Sequence, residues 1–225
     1  MAKPPDIRGV IRAEQEALTA ETRISNCPPF VAVNRIDDVV NFPTSLRWSH
    51  KAAVQRLLEA NGEAFVVDCP SLQSIALWVG TNNDTYRGDY LRFLNNRHQC
   101  ALAKIPPPFD VDHLYNRSRA RMYGLRFIRV ALVDHAANRS HGAAYEKDIT
   151  RNEARRERRD MKLMDEITSM KYFGFLSPLR DDPREAEIEA YSAFAAAKLG
   201  LDAAEVRRSI RYLREKASTP WAAKK

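Results

Sequence analysis

The stretch Phe109–Lys147, FDVDHLYNRSRARMYGLRFIRVALVDHAANRSHGAAYEK, is the part on which the reading of the rest depends. It follows the proline run Pro106-Pro107-Pro108, a stiff connector, and holds three of the five histidines. Its two apolar runs, Phe109 to Tyr115 and Leu125 to Val133, alternate in part and are rich in β-branched or aromatic residues, so both read as strands. The segment between them reads as a loop containing Gly124, and Ala136 to Lys147 as a turn entering a helix. A hairpin followed by a helix places the end of the first strand beside the start of the helix. That order gathers Asp112, His113, Asn138 and His141. Asp134-His135 reads as a turn pair, and Asn138 is also a natural helix N-cap.

Outward from this stretch the chain reads as mostly helical. Residues 1–23 form a helix, with Asp6 as cap and Ile7, Val10, Ile11 and Leu18 on one stripe. Phe30 to Val33 and Val39 to Phe42 are short extended pieces in a proline-broken region. Ser49 caps a helix over 50–60, and Asn61-Gly62 stops it. Residues 64–68 are a buried strand, 71–79 a helix with Leu72, Ile75, Ala76 and Val79 inward, and 85–98 a helix. Residues 148–170 read as one long charged helix. Six Arg/Lys stand against three Asp/Glu in 151–162, and Glu153 and Asp160 are placed to pair with Arg156. Residues 172–176 are an apolar hinge. Residues 183–199 form an Ala-rich helix ended by Gly200, and 203–217 a last helix capped by Asp202.

The expected class is therefore α+β, a small ββα hairpin-helix core embedded in a mainly helical body. Three regions follow: a mostly helical 1–104, the core at 105–150, and a helical 151–225. Composition suits a soluble protein, with 44% hydrophobic and 29% charged residues. No apolar run approaches the roughly 20 residues that span a bilayer. The polar N-terminus is no secretory signal, which points to the cytoplasm and to no membrane partner. Cys27, Cys69 and Cys100 form no C-x-x-C pair and suit buried reduced thiols. A net charge of +7 and a pI near 9.4 suit a polyanion partner.

Val111-Asp112-His113, followed 25 positions after the histidine by Asn138 in Ala137-Asn138-Arg139-Ser140-His141, resembles the HNH nucleases. Their core is a ββα-metal unit. The resemblance spans about forty residues and is closest to the zinc-free members, because Asp134 and Ala137 stand where a second Cys pair would fall. It implies a metal-dependent endonuclease acting on nucleic acid, DNA ahead of RNA. His113 is then the general base. Asp112 and Asn138 hold Mg2+, or Mn2+, and no structural zinc is expected. His141, on the same helical face as Asn138, is a further ligand or a phosphate contact.

The chemistry is coherent with this. Phosphodiester hydrolysis needs a base for water and a cation for the developing charge. Histidine, with a pKa of about 6.5, is a neutral base near pH 7. Mg2+ keeps several waters, so one carboxylate and one amide suffice. Adjacent strand residues point to opposite faces, so Asp112 and His113 diverge unless the strand bends. One departure stands out: Arg129 occupies the place of the asparagine that orients the base. Asn116 or a backbone carbonyl is then left to orient the ring, and Arg129 either holds a phosphate or marks weakened or lost catalysis. The alternative function is accordingly a non-catalytic nucleic-acid-binding protein on a degenerate core. Arg117, Arg119, Arg121 and Arg126, with no acid among residues 116–126, and Arg139 are the candidate backbone contacts. Protein partners are not legible.

Overall fold

A computed structural model describes residues 6–25, 27–41, 52–70, 74–143, 159–178 and 184–218. The fold is α+β. Its centre is strand β6 (Phe127–Asp134), whose sequence FIRVALVD is buried along seven of its eight positions. A run of β-branched and aliphatic residues buried on both faces belongs in the middle of a sheet. Among the described residues the sheet has seven strands: β1 (Phe30–Val33), β2 (Ala53–Arg56), β3 (Ala64–Cys69), β4 (Ser74–Gly80), β5 (Phe109–His113), β6 and β7 (Met161–Leu163). The pairing order is β2-β3-β4-β6-β1-β7, with β5 also on β6, and every pair is antiparallel.

The register shows how β6 serves three neighbours. Ile128 faces both Val79 of β4 and Ala32 of β1, and Val130 faces both Leu77 of β4 and His113 of β5. A strand has two edges. β4 therefore holds one, while β1 and β5 lie end to end along the other. His113, the last residue of β5, sits at the junction where β5 stops and β1 takes over.

The helices are α1 (Ile7–Ser25), α2 (Asp38–Asn41), α3 (Tyr86–His98), α4 (Arg117–Met122), α5 (His135–Ala143), α6 (Glu166–Tyr172), α7 (Glu185–Phe194) and α8 (Ala203–Ser218). A π-helical turn, Ala195–Leu199, extends α7. Tyr86, Tyr90, Phe93 and Leu94 of α3 pack on Val66, Leu77, Val79, Val111, Val130 and Leu132 of the sheet. A separate cluster joins Met170 of α6 to Ile188, Tyr191, Val206 and Ile210 of α7 and α8.

Several expectations are corrected. Residues 53–56 and 74–80 are strands, not helices, so residues 6–104 contain four of the seven strands. In 74–80 the spacing Ile75, Ala76, Val79 fits a helix, but Leu77 and Trp78 between them are also buried. Burial on both faces makes this a central strand, and periodicity alone does not separate the two in so short a run. The β5–β6 pair is thus part of one large sheet and not a free-standing core. The segment between β5 and β6 is no simple loop. It forms α4, capped by Asn116 Oδ1 accepting from Arg119 N at 3.2 Å and ended at Gly124, whose φ of +77° turns the chain into β6. Val39 belongs to the short helix α2 and not to a strand. The long helix expected over 148–170 is not continuous, because β7 and α6 fall within it. The Ser49 cap, Leu72, and the Glu153, Arg156 and Tyr145–Lys147 segment lie outside the described residues.

Among the described residues no helix is long and apolar enough to cross a membrane. None of the three cysteines forms a disulfide; Cys69 and Cys100 are buried, and Cys27 is partly so.

Candidate functional site

The end of β5 carries the residues singled out in the sequence, and the pleat separates them. His113 pairs with Val130 and lies on the α3 side, where its ring stands 4.1 Å from that of Tyr86. Asp112 pairs with Ala131 and points the other way, to an ion pair with Lys171 of α6. The side chain of Lys171 is 3% exposed and that of Asp112 is 21% exposed. The divergence follows from strand geometry, since no bulge interrupts the β5–β6 register. Burial pushes the Tyr86 phenol up; Asp112 adds to this, while Arg87, Arg117 and Lys171 oppose it.

Asn138 and His141 face other partners. Asn138 Nδ2 donates to Asp110 Oδ2 at 3.1 Å, and His135 Nδ1 lies 2.9 Å from the same oxygen. Burial pushes the Asp110 carboxyl up. The bonds from Asn138 and His135, with the charges of His135 and Arg139, outweigh it and hold the group below its usual range. His141 is 1% exposed and its Nε2 lies 3.1 Å from the carbonyl oxygen of Phe175. The cap of α5 is Asp134, not Asn138: Asp134 Oδ1 accepts from the amides of Ala136 and Ala137 at 2.8 and 3.1 Å. The helix start thus brings together Asp110, His135 and Asn138, with Asp112 and His113 elsewhere.

A divalent cation held by Asp112 and Asn138 does not fit this arrangement. Asp112 is neutralised by an ammonium, and Asn138 is committed to a different carboxylate. Among the described residues no group of three or more His, Cys, Asp or Glu side chains is placed to hold a metal ion.

Arg129 pairs with Glu21 of α1 at 3.1 Å, the two side chains 7% and 8% exposed. It lies opposite Trp78, on the other face of β6 from Val130 and hence from His113. It neither orients His113 nor reaches solvent to hold a phosphate. Its burial opposes the charged form, but Glu21, Tyr172 and Glu14 overcome that and raise its pKa. Asn116 Oδ1 accepts from Arg119 N and so caps α4.

Beside this pair sits a group that sequence reasoning missed. Glu14 of α1 receives the Tyr90 hydroxyl at 3.0 and 3.1 Å on its two oxygens and has His98 Nε2 at 3.9 Å. Burial pushes its carboxyl up to about 7, against the lowering effects of the Tyr90 bond and Arg129. A signal was present: Glu14 and Glu21 are seven apart and follow the apolar stripe of Val10, Ala17 and Leu18. Carboxylates on a buried stripe need partners. Lys171 had a fainter signal, a lysine between the core residues Met170 and Tyr172.

The candidate phosphate contacts divide. Arg119 is buried and stands 4.9 Å over the Tyr115 ring. Arg121 donates to the Thr81 carbonyl at 2.5 Å. Arg117 pairs with Asp84 at 2.7 Å, and Arg126, 63% exposed, lies 3.6 Å from Glu63. Arg139 lies on α5 beside Asp110. Two arginines not singled out in the sequence join the group: Arg87 stands 4.7 Å over Tyr86, and Arg159 4.5 Å over Tyr123. Arg87, Arg117 and Arg121 border the turn at 80–86, Arg126 immediately precedes β6, and Arg159 lies at the end of α4.

Comparison of the sequence with protein-family models gives no match, and neither curated proteins nor solved structures yield one.

Proposed function

We propose that the protein binds nucleic acid and does so without metal-dependent cleavage at Asp112 and His113. The observation that carries this reading is the gathering of Arg87, Arg117, Arg121 and Arg126 around the 80–86 turn, where Asp84 pairs with Arg117 and Glu63 with Arg126. Those acids are 83% and 53% exposed in their side chains. Exposed ion pairs are worth about 0–1 kcal/mol, so a phosphate displaces them at little cost. Arg87 and Arg117 also share the Tyr86 ring, which orders their guanidinium groups. The separation of Asp112 from His113, and the use of Arg129 inside the core, favour binding over hydrolysis.

The test is fluorescence anisotropy of a labelled duplex and a labelled single strand in EDTA across a salt series. Binding should weaken linearly on logarithmic axes, and the Arg117→Ala/Arg126→Ala double variant should lower the slope by about 1–2. Absence of binding at low salt would reject the reading.

A second reading, hydrolysis of DNA as an HNH-like endonuclease, draws on one observation. Asp110, His135 and Asn138 bring a carboxylate, an imidazole and an amide together where α5 leaves β6. His135 is 41% exposed, and its Nδ1 is turned to Asp110, which leaves Nε2 as the remaining ring nitrogen. Plasmid nicking with Mg2+ or Mn2+ that is lost in His135→Ala or His113→Ala would select this reading and identify the base.

A further inference from the structure

We infer that the Lys171 ammonium takes the place of a divalent cation at Asp112, making the end of β5 a metal-free site. α6 is seated by Ile167 and Met170, both fully buried, and its cap Asp165 accepts from Thr168 N at 2.8 Å. This fixes Lys171 with its stem inside the protein and its charge on the Asp112 carboxylate. Mg2+ and Mn2+ bind carboxylate oxygen with near-octahedral geometry and several retained waters. A buried ammonium in contact with that carboxylate blocks it sterically, removes its charge and repels a second cation. Asn138, the other ligand the resemblance implies, gives its amide to Asp110. The positive charge already near this end of β5 is completed by Arg87 and Arg117 over Tyr86. Asp84 pairs with Arg117, so Asp112 and Asp84 stand against Lys171, Arg87 and Arg117, and the balance is still positive before any ion arrives, which suits an anionic ligand and not a cation. This deepens the nucleic-acid reading, and its test is made without nucleic acid so that the two fail separately.

The experiment is a titration of the full chain with Mn2+, followed by the electron paramagnetic resonance signal of the free ion. The wild type and Asp112→Asn should leave the same free signal up to millimolar Mn2+. Lys171→Met should take up one more Mn2+ than the wild type at millimolar ion, and Lys171→Met/Asp112→Asn should not. Lys171→Arg should behave as the wild type. A wild-type site that Asp112→Asn abolishes would overturn the inference, and this arm needs no change at Lys171. A folded Lys171→Met protein that gains no site would also overturn it, since the ammonium would then not be what excludes the ion.

Discussion

Arg129 and Glu21 illustrate how a single residue's surroundings redirect its meaning. A guanidinium in the middle of a buried strand costs several kcal/mol of desolvation unless it is paired, and Glu21 supplies the pair from α1. Removing one partner strands the other's charge. Arg129→Met should therefore lower stability by about 3–5 kcal/mol, whereas Arg129→Met/Glu21→Leu should recover most of that loss, as read from urea midpoints. Glu14 behaves differently because its burial is met by a phenol and only distantly by a cation. Its folded pKa of about 7 lies above the ordinary value of 4.5. The folded state thus holds a proton that the unfolded chain releases. The associated stability is complete below about pH 4.5 and is lost as pH rises through about 7. The full difference amounts to about 3 kcal/mol. Stability measured at pH 5 and pH 8 should fall across that interval, and Glu14→Gln, which keeps an oxygen for Tyr90, should flatten the fall. An unchanged slope in that variant would place the titration elsewhere.

Among the elements, α5 depends most visibly on one side chain. Asp134 ends β6 and caps α5 in the same residue, so the helix starts without an intervening loop. Asp134→Ala should cost about 1 kcal/mol and loosen the hydrogen bonds that His135 and Asn138 make to Asp110. Denaturant unfolding measures the cost, and weaker amide-exchange protection over the first turn of α5 should accompany it. Within 109–143 the two strands and the closing helix are legible from residues alone, because β6 is long, β-branched and bounded by Gly124 and Asp134, but α4 between the strands is not. Elsewhere, residues 50–60 and 71–79 read as helices because Ala53, Val54, Leu57 and Ile75, Ala76, Val79 match helical spacing, yet 53–56 and 74–80 are strands. Their strand state is set by pairing with β3 and β6, a tertiary effect that a short apolar run does not encode. The candidate site was legible as far as its residue types. Strand alternation also foretold that Asp112 and His113 diverge. The partners were not legible, because Lys171 lies 59 positions from Asp112 and Glu21 lies 108 from Arg129.

At the scale of the molecule, one sheet joins segments far apart in the chain. β1, from residues 30–33, lies between β6 and β7, and β4 closes the other edge of β6. Trp78 of β4 is 2% exposed and packs with Phe30, Val33, Val67, Ala76 and Phe127. Trp78→Ala should cost about 3–5 kcal/mol in a single cooperative transition, measured by denaturant unfolding. The 80–86 turn that the proposed arginine contacts border follows directly from this strand. The account turns on whether that surface holds nucleic acid with no metal present. Anisotropy of a labelled duplex in EDTA at low salt, compared between the wild type and Arg117→Ala/Arg126→Ala, tests this directly. The account predicts salt-sensitive binding by the wild type, weaker and less salt-sensitive binding by the double variant, and an intact duplex after Mg2+ is added. No binding by the wild type, or duplex cleavage on adding Mg2+ that Asp112→Asn abolishes, would contradict it.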